Sequence, residues 1–360
     1  MRIQVFGAFD REYARNRVLR TGLQRLGVRV DLCSAPPWDV SLLRYAVLLE
    51  RHLRLAACDA LLVPEFRHKD VPLGRLLASV SGSALIVDPL VSRFDTRVED
   101  WRSVRAGSMA AAHSQRVDRA AVRFADLLLC DTAQHAHYFA DAYRVPRERC
   151  AVVPVGFDDV VFQPMAPPPS QPFCVAFFGS YLPLHGVETI VGAARLLRND
   201  DVRFLLIGSG RTFDVVRQAR DDGVAIEISP TLPPTQLVQR LGRAHILLGI
   251  FGTTHKAGRV VPNKIFQSLA LGRTVITAAT PAIEEFFTPG EHLYTVPAGN
   301  AEALAEAIRT LRSDDALRQR LAQTGARFVH AHFTPEHVAR TFLKAGERQL
   351  GWRPRAATPV

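Results

Sequence analysis

The chain reads as an α/β protein built from two Rossmann-like, doubly wound parallel-sheet domains, and three observations predict it. Short apolar runs alternate with helix-period segments along almost the whole length, a proline-dense stretch at 162–172 interrupts them, and the same alternation restarts beyond it. The length agrees, since 360 residues hold two domains of ordinary size, each with its own core.

The first apolar run, residues 3–7, ends in Gly7 and opens a domain as a strand. Val18, Leu19, Leu23 and Leu26 follow at helical spacing, and Gly27 with a second run at 28–33 closes one β-α-β unit. Further strands are expected at 60–63, 84–88, 127–131 and 151–154. Residues 162–172 have neither helical nor strand period and read as a stiff interdomain linker. Beyond it, strands are expected at 174–178, 203–207, 225–228, 246–250, 275–277 and 293–296. An amphipathic helix over 334–350 is expected to cross back to the first domain, ahead of a polar, frayed end. The expected division is therefore 1–161, a linker at 162–172, 173–333, and a helix and tail at 334–360. Ligands of such sheets bind at the carboxyl ends of the strands, where the strand order reverses, and two such domains facing each other would form a cleft there.

Lys and Arg number 45 against 35 Asp and Glu, a net charge of +10 that favours anionic partners. Nearly all of that charge is arginine. The only lysines are Lys69, Lys256, Lys264 and Lys344, so two within one short segment stand out. The five cysteines are scattered and none forms a CxxC pair, which argues against a zinc or redox motif. The opening residues lack the long apolar core and cleavage site of a signal peptide. No apolar stretch approaches the ~20 residues of a membrane span. The expected location is the cytoplasm, dissolved or resting peripherally on the inner face of an anionic membrane.

Two strand ends in the second domain carry glycines. Gly179 and Ser180, then His185 and Gly186 before a helix, put flexible backbone where amide groups can face a phosphate. Gly208 and Gly210 end the next strand and fit only part of a dinucleotide fingerprint. The most informative segment runs from Lys256 to Gly272. Pro262 and Asn263 suit the first turn and the cap, respectively, of a helix over about 263–271, and Gly272 suits its stop. Lys264 lies in the first turn, with Gln267 and Ser268 on the same face, and Lys256 and Arg259 lie in the loop before. Cations beside a helix N-terminus form a site for a diphosphate. In the first domain, Tyr13, Arg15 and Arg17 enter the first helix beside the expected cleft, and Asp88 and Ser92 follow a strand end. Arg15 and Arg17 read as holders of an acceptor phosphate, as groups completing the diphosphate cage, or as ordinary solvated arginines.

The segment from Gly179 to Glu285 resembles the donor-binding region of glycosyltransferase family 4, in a subgroup that places Pro-Asn-Lys (Pro262, Asn263 and Lys264) before the helix. Residues 126–132 and 152–158, with Phe162 and Pro164, resemble the end of that family's acceptor domain. The resemblance implies a GT-B fold and a retaining glycosyltransferase. Such an enzyme moves a hexose-type sugar from a UDP- or GDP-linked donor to a hydroxyl of a glycan, lipid-linked or small-molecule acceptor. It implies Lys264, Lys256 and Arg259 at the diphosphate, Asp88 or Ser92 at a sugar hydroxyl, and Glu285 at the sugar or nucleotide. It also implies a reaction without a metal, in keeping with the lack of a DxD acid pair near a strand end. The family's two signature glutamates fall on Arg259 and Gln267, eight positions apart. Gln267 can still accept a ribose hydrogen bond through its carbonyl, and Arg259 suits the diphosphate.

Other classes fit less well. A nucleic-acid binder would need a recognition helix or an aromatic-rich basic sheet, and neither is present. A nicotinamide enzyme would need the complete glycine fingerprint with an acid ~20 positions on. A nucleotide-sugar epimerase or hydrolase on the same scaffold, and a non-catalytic nucleotide-sugar binder, stay open as alternatives.

Overall fold

The structure is a computed structural model that describes residues 1–36 and 40–352. The polar end expected beyond the last helix falls at 353–360, outside the described residues. The chain forms two compact units: Met1–Val155 with the segment from Pro335 onward, and Gly156–Thr334.

In the first unit the elements run β1 (Arg2–Gly7), α1 (Ala14–Arg25), β2 (Arg29–Ser34), α2 (Ser41–Leu53), β3 (Ala60–Val63), α3 (Val71–Ser81), β4 (Ala84–Val87), α4 (Met109–Phe124), β5 (Leu127–Cys130), α5 (Ala133–Tyr143) and β6 (Cys150–Val152). The strands lie in the order β2-β1-β3-β4-β5-β6, and every pairing is parallel. The order reverses between β1 and β3. β3 and β5 are buried along their whole length, which is why each reads as an unbroken apolar run.

The second unit repeats the plan with β7 (Phe173–Phe178), α6 (Val187–Leu196), β8 (Val202–Ile207), α7 (Phe213–Asp221), β9 (Ile226–Ser229), α8 (Pro234–Leu241), β10 (Ile246–Leu248), α9 (Asn263–Ala270), β11 (Thr274–Ala278), α10 (Pro281–Phe286), β12 (Tyr294–Val296), α11 (Ala301–Ser313) and α12 (Asp315–His332). Its parallel sheet has the order β12-β11-β10-β7-β8-β9 and reverses between β7 and β10. Each strand expected from the apolar runs is present, displaced by two residues or fewer at either end.

The proline-dense stretch packs on the second unit. Phe162 is buried, the Met165 amide donates to the Leu271 carbonyl (3.1 Å), and Arg273 donates to the carbonyls of Ala166 (2.6 Å) and Gly242 (2.7 Å). Without a helical or strand ladder in this stretch, the Ala166 carbonyl is satisfied by a buried arginine instead.

The last helix, α13 (Pro335–Leu350), returns to the first unit, as its apolar stripe predicts. Val338, Ala339, Phe342 and Ala345 join the core made by Ile3, Val5, Val18, Leu19 and Leu23. Burying the Val and Phe side chains contributes about 1.5–3 kcal/mol each. Arg25 and Glu336 pair at the rim (3.0 Å). Among the described residues no helix is long and apolar enough to cross a membrane.

Gly22 sets how closely α13 lies against α1. A Cβ there would stand 1.9 Å from the Pro335 carbonyl oxygen and 2.8 Å from the Ala339 Cβ. Gly22→Ala is therefore expected to lower stability by about 1–3 kcal/mol despite the better helix propensity of alanine. It should also speed proteolytic release of the segment after Thr334. Thermal unfolding and limited proteolysis check this, and an unchanged Tm would contradict the packing described.

Candidate functional site

The strand order of the second sheet reverses at β7 and β10, so the loops after these strands define its ligand-binding edge. β7 runs straight into Gly179, whose φ of +134° is a conformation that side chains rarely adopt. A Cβ on Gly179 would stand 3.0 Å from the Lys264 Nζ and 3.6 Å from the His185 Cε1. Gly208, after β8, is equally constrained: a Cβ there would meet the Gly179 carbonyl oxygen at 2.1 Å. Gly210 bridges to Tyr181, and Gly186 opens α6. The two glycine-bearing strand ends thus form one closely packed backbone surface, with the exposed Ser180 at its lip.

Lys264 comes to this surface from the first turn of α9. It is 5% exposed, its Nζ has no hydrogen-bond partner, and the nitrogen sits 3.9 Å from the centroid of the Phe177 ring. Burial holds its pKa well below the ordinary lysine value of 10.5, and no carboxylate opposes the shift. His185, in the turn Pro183–His185, packs edge-on against Phe177 at 5.7 Å. Burial first, then Lys264 and Lys256, push its pKa well below 6.5, so the ring is neutral near neutral pH. Lys256 is buried at the head of the short turn Ala257–Arg259, against which α10 packs.

The start of α9 differs from the expected cap. Pro262 occupies the N-cap position, Asn263 is the first helical residue, and no side chain caps the helix. The first-turn amides lack the side-chain acceptor that Thr280 gives α10 and Asn300 gives α11. Gln267 and Ser268 lie buried on the same helix, and the Ser268 hydroxyl also has no partner. Glu285 is exposed near the end of α10. The sequence-predicted residues Gly179, His185, Lys256 and Lys264 are therefore brought together. Phe177, the apolar floor under the ammonium, was missed, because an aromatic residue inside a buried strand reads as core.

The first unit corrects several expectations. Arg15 is not solvated: it is buried, ion-paired to Asp88, and donates to the Val153 carbonyl at 3.0 Å. Asp88 is thereby the anchor of Arg15. One oxygen of Asp88 and one Nη of Arg15 remain without partners. Ser92 is fully engaged, in contact with Asp118 (2.8 Å), Tyr143 (3.0 Å) and Tyr138 (3.3 Å) and accepting from the Asp95 amide. It closes the loop after β4 and is not free to meet a sugar. Arg17 pairs loosely with Glu12 at 3.9 Å. Tyr13 precedes α1 with its ring 5.4 Å from that of Phe66, and burial followed by Glu65 raises its pKa.

Glu65 itself was not foreseen. It follows β3, is 1% exposed, and accepts from Asn16 at 2.7 Å through one oxygen while the other has no partner. Burial, then Asp88, raises its pKa to about 8. Beside it, Asp131 holds the His135 Nδ1 at 2.6 Å, and the His135 Nε2 is unpartnered. A Pro-Glu pair directly after an apolar run was the only signal that this acid sits at a strand end.

A cavity of about 1000 Å³ lies at the other, amino-terminal end of the second sheet, between residues 164–173 and α12. It is lined by none of the residues gathered around Lys264, and the unpartnered cation and open helix start mark the switch-point edge more specifically than volume does.

Residues 188–344 match a family described as glycosyl transferase-like. D-inositol 3-phosphate glycosyltransferase of Nocardia farcinica is 28% identical over 244 residues, which are 61% of this chain and 52% of that protein. The chain thus spans about half the length of that relative. Among solved structures, sucrose-phosphate synthase from Thermosynechococcus elongatus aligns over 98% of this chain and 99% of its own, with a TM-score of 0.76 and 15% identity. HepE from Anabaena, solved in complex with UDP, aligns over 97% of this chain and 100% of its own, with a TM-score of 0.70 and 16% identity. Residues 188–344 are thus similar to a glycosyl transferase-like family, and the chain shares the GT-B fold of these solved structures.

An ammonium buried without a counter-ion costs stability, which a bound anion would return. Lys264→Met, which keeps the length and removes the charge, is expected to stabilise the ligand-free protein by about 1–3 kcal/mol, raising Tm by roughly 2–6 °C. A lowered Tm would mean that the charge is already compensated in the free protein.

Proposed function

We propose that the chain is a retaining glycosyltransferase that moves a hexose-type sugar from a nucleotide-diphosphate donor, UDP- or GDP-linked, to a hydroxyl of a glycan, lipid-linked or small-molecule acceptor. The observation that carries this reading is the buried, unpaired Lys264 ammonium, set between two glycine-bearing strand ends and an uncapped helix start. Breaking the bond between sugar and diphosphate moves negative charge onto the leaving phosphate. A preorganised cation and open backbone amides stabilise that charge most where water is excluded. Lys264 would meet the diphosphate, with Lys256 and Arg259 completing its neutralisation from the preceding turn. Gln267 would accept from the ribose, one helical turn along the buried face.

Retention follows in this reading from the leaving diphosphate assisting attack on the same face of the sugar, so the protein need supply no nucleophile. The charge stabilisation comes from side chains and helix amides, and the proposed reaction uses no metal or other cofactor. The enzyme would act in the cytoplasm. A second reading, a nucleotide-sugar binder that does not transfer, is favoured by one observation: Arg259 and Gln267 stand where the resembled family carries two acids.

Calorimetric titration with UDP, GDP and their sugar conjugates tests the proposal. The wild type should bind one nucleotide series with a Kd of about micromolar order, and Lys264→Ala should weaken that binding at least about tenfold. Donor consumption should then rise when the acceptor is added, whereas a binder would leave the donor intact. A wild type that binds no nucleotide would overturn the reading.

A further inference from the structure

The loops after β3 and β4 lie at the carboxyl edge of the first sheet, next to its switch point. Both carry a bulky residue in left-handed backbone, Phe66 at φ +62° and Leu90 at φ +55°. Such conformations are held against their intrinsic cost by the surrounding structure and gather at functional sites. The two loops are joined, since the Phe66 amide donates to the Pro89 carbonyl at 3.4 Å. Arg67 directly follows Phe66, Arg93 lies three positions after Leu90, and Arg97 lies one helical turn beyond Arg93.

The three guanidinium groups are poorly supplied with acceptors. The Nε atoms of Arg67 and Arg93 are buried and have no hydrogen-bond partner, while Arg97 donates to the Ser114 hydroxyl at 3.2 Å. Of the nearby carboxylates, Asp118 already accepts from Ser92 (2.8 Å), Tyr143 (3.0 Å) and the amides of Arg93 (3.1 Å) and Phe94 (2.8 Å), and it faces the His68 ring at 3.7 Å. Asp95 and Glu99, on the same turn as Arg97, act on the Tyr138 phenol. Arg93 is held below its ordinary pKa by burial first, opposed by Asp118, and then by the like charges of Arg97 and Arg67. Guanidinium groups that repel one another and keep unfilled donors are a site awaiting an oxyanion.

We infer that Arg67, Arg93 and Arg97 form a phosphate-binding site in the first unit, and that its ligand is the phosphate of the acceptor. A tetrahedral phosphate ester presents several acceptor oxygens to such a fork. The site replaces Arg15, whose charge is taken by the buried Asp88. The phosphate site stands on the geometry of these loops; its identity as an acceptor site rests on the transferase reading.

Binding is measured by calorimetry on the whole chain with inositol 1-phosphate, glucose 6-phosphate, inorganic phosphate and the unphosphorylated sugars. Vesicles of phosphatidylcholine with and without phosphatidylinositol form a separate arm. The proteins are wild type, Arg67→Ala/Arg93→Ala, Arg67→Lys/Arg93→Lys and Lys264→Ala. Phosphate esters should bind the wild type, lose about tenfold or more in affinity in the double alanine variant, and bind Lys264→Ala as they bind wild type. The double lysine variant, which keeps the charge and loses the fork, should fall between. Preference for the soluble esters or for the phosphatidylinositol vesicles identifies which source the site reads. Wild-type binding of no phosphate-bearing probe, or binding that the double alanine variant leaves unchanged while remaining folded by circular dichroism, overturns the inference. Phosphate binding at the arginines without nucleotide binding anywhere would keep the site and sink the transferase reading.

Discussion

The second unit depends on an ammonium group held in an apolar setting without a counter-ion. Lys264 rests over the Phe177 ring, beside backbone that only glycine can supply at Gly179, at the start of a helix that no side chain caps. Each of these features would be a defect in a purely structural protein. A side chain at Gly179 or Gly208 would displace the lysine or the neighbouring strand end, and a capping serine at Pro262 would fill the amides. Together they describe a surface built for charge that arrives with a ligand. The doubly wound topology puts that surface at the β7–β10 reversal, where the loops diverge and leave room.

The first unit handles charge differently. Its buried groups at the corresponding edge are largely paired: Arg15 with Asp88, Arg44 with Asp70 at 2.7 Å, and His135 with Asp131. The Asp70 carboxylate also accepts the Ala8 amide at 2.9 Å, which ties the end of β1 to the loop after β3. These pairs fix backbone more than they bind ligands, since removing either partner would strand a buried charge. What they leave over is specific: one carboxyl oxygen each on Glu65 and Asp88, one guanidinium nitrogen on Arg15, and the arginine donors of the two strained loops.

Strand positions were legible because parallel strands buried on both faces are written as apolar runs, and the paired runs around the proline-dense stretch revealed the doubling. The cation cluster around Lys264 was legible because lysine is rare here and its neighbours are local in sequence. Roles in the first unit were not. Arg15 and Asp88 are 73 positions apart, and Ser92 and Asp118 are 26 apart, so nothing near either residue shows that its hydrogen bonds are spent. Arg67 and Arg93 looked like two more arginines in an arginine-rich chain. Only the fold, by joining the loops after β3 and β4, makes them neighbours.

The most direct measurement is the number of protons taken up when the nucleotide binds, obtained from titrations in buffers of different ionisation enthalpy. Free Lys264 titrates well below 10.5, and a bound diphosphate raises its pKa, so binding takes up a proton between the two values and affinity falls as pH rises through that window. The expected result is uptake approaching one proton per nucleotide within that window, retained in His185→Gln and absent in Lys264→Met. Uptake of zero across that range in the wild type, with nucleotide still bound, would show that the buried lysine does not meet the diphosphate.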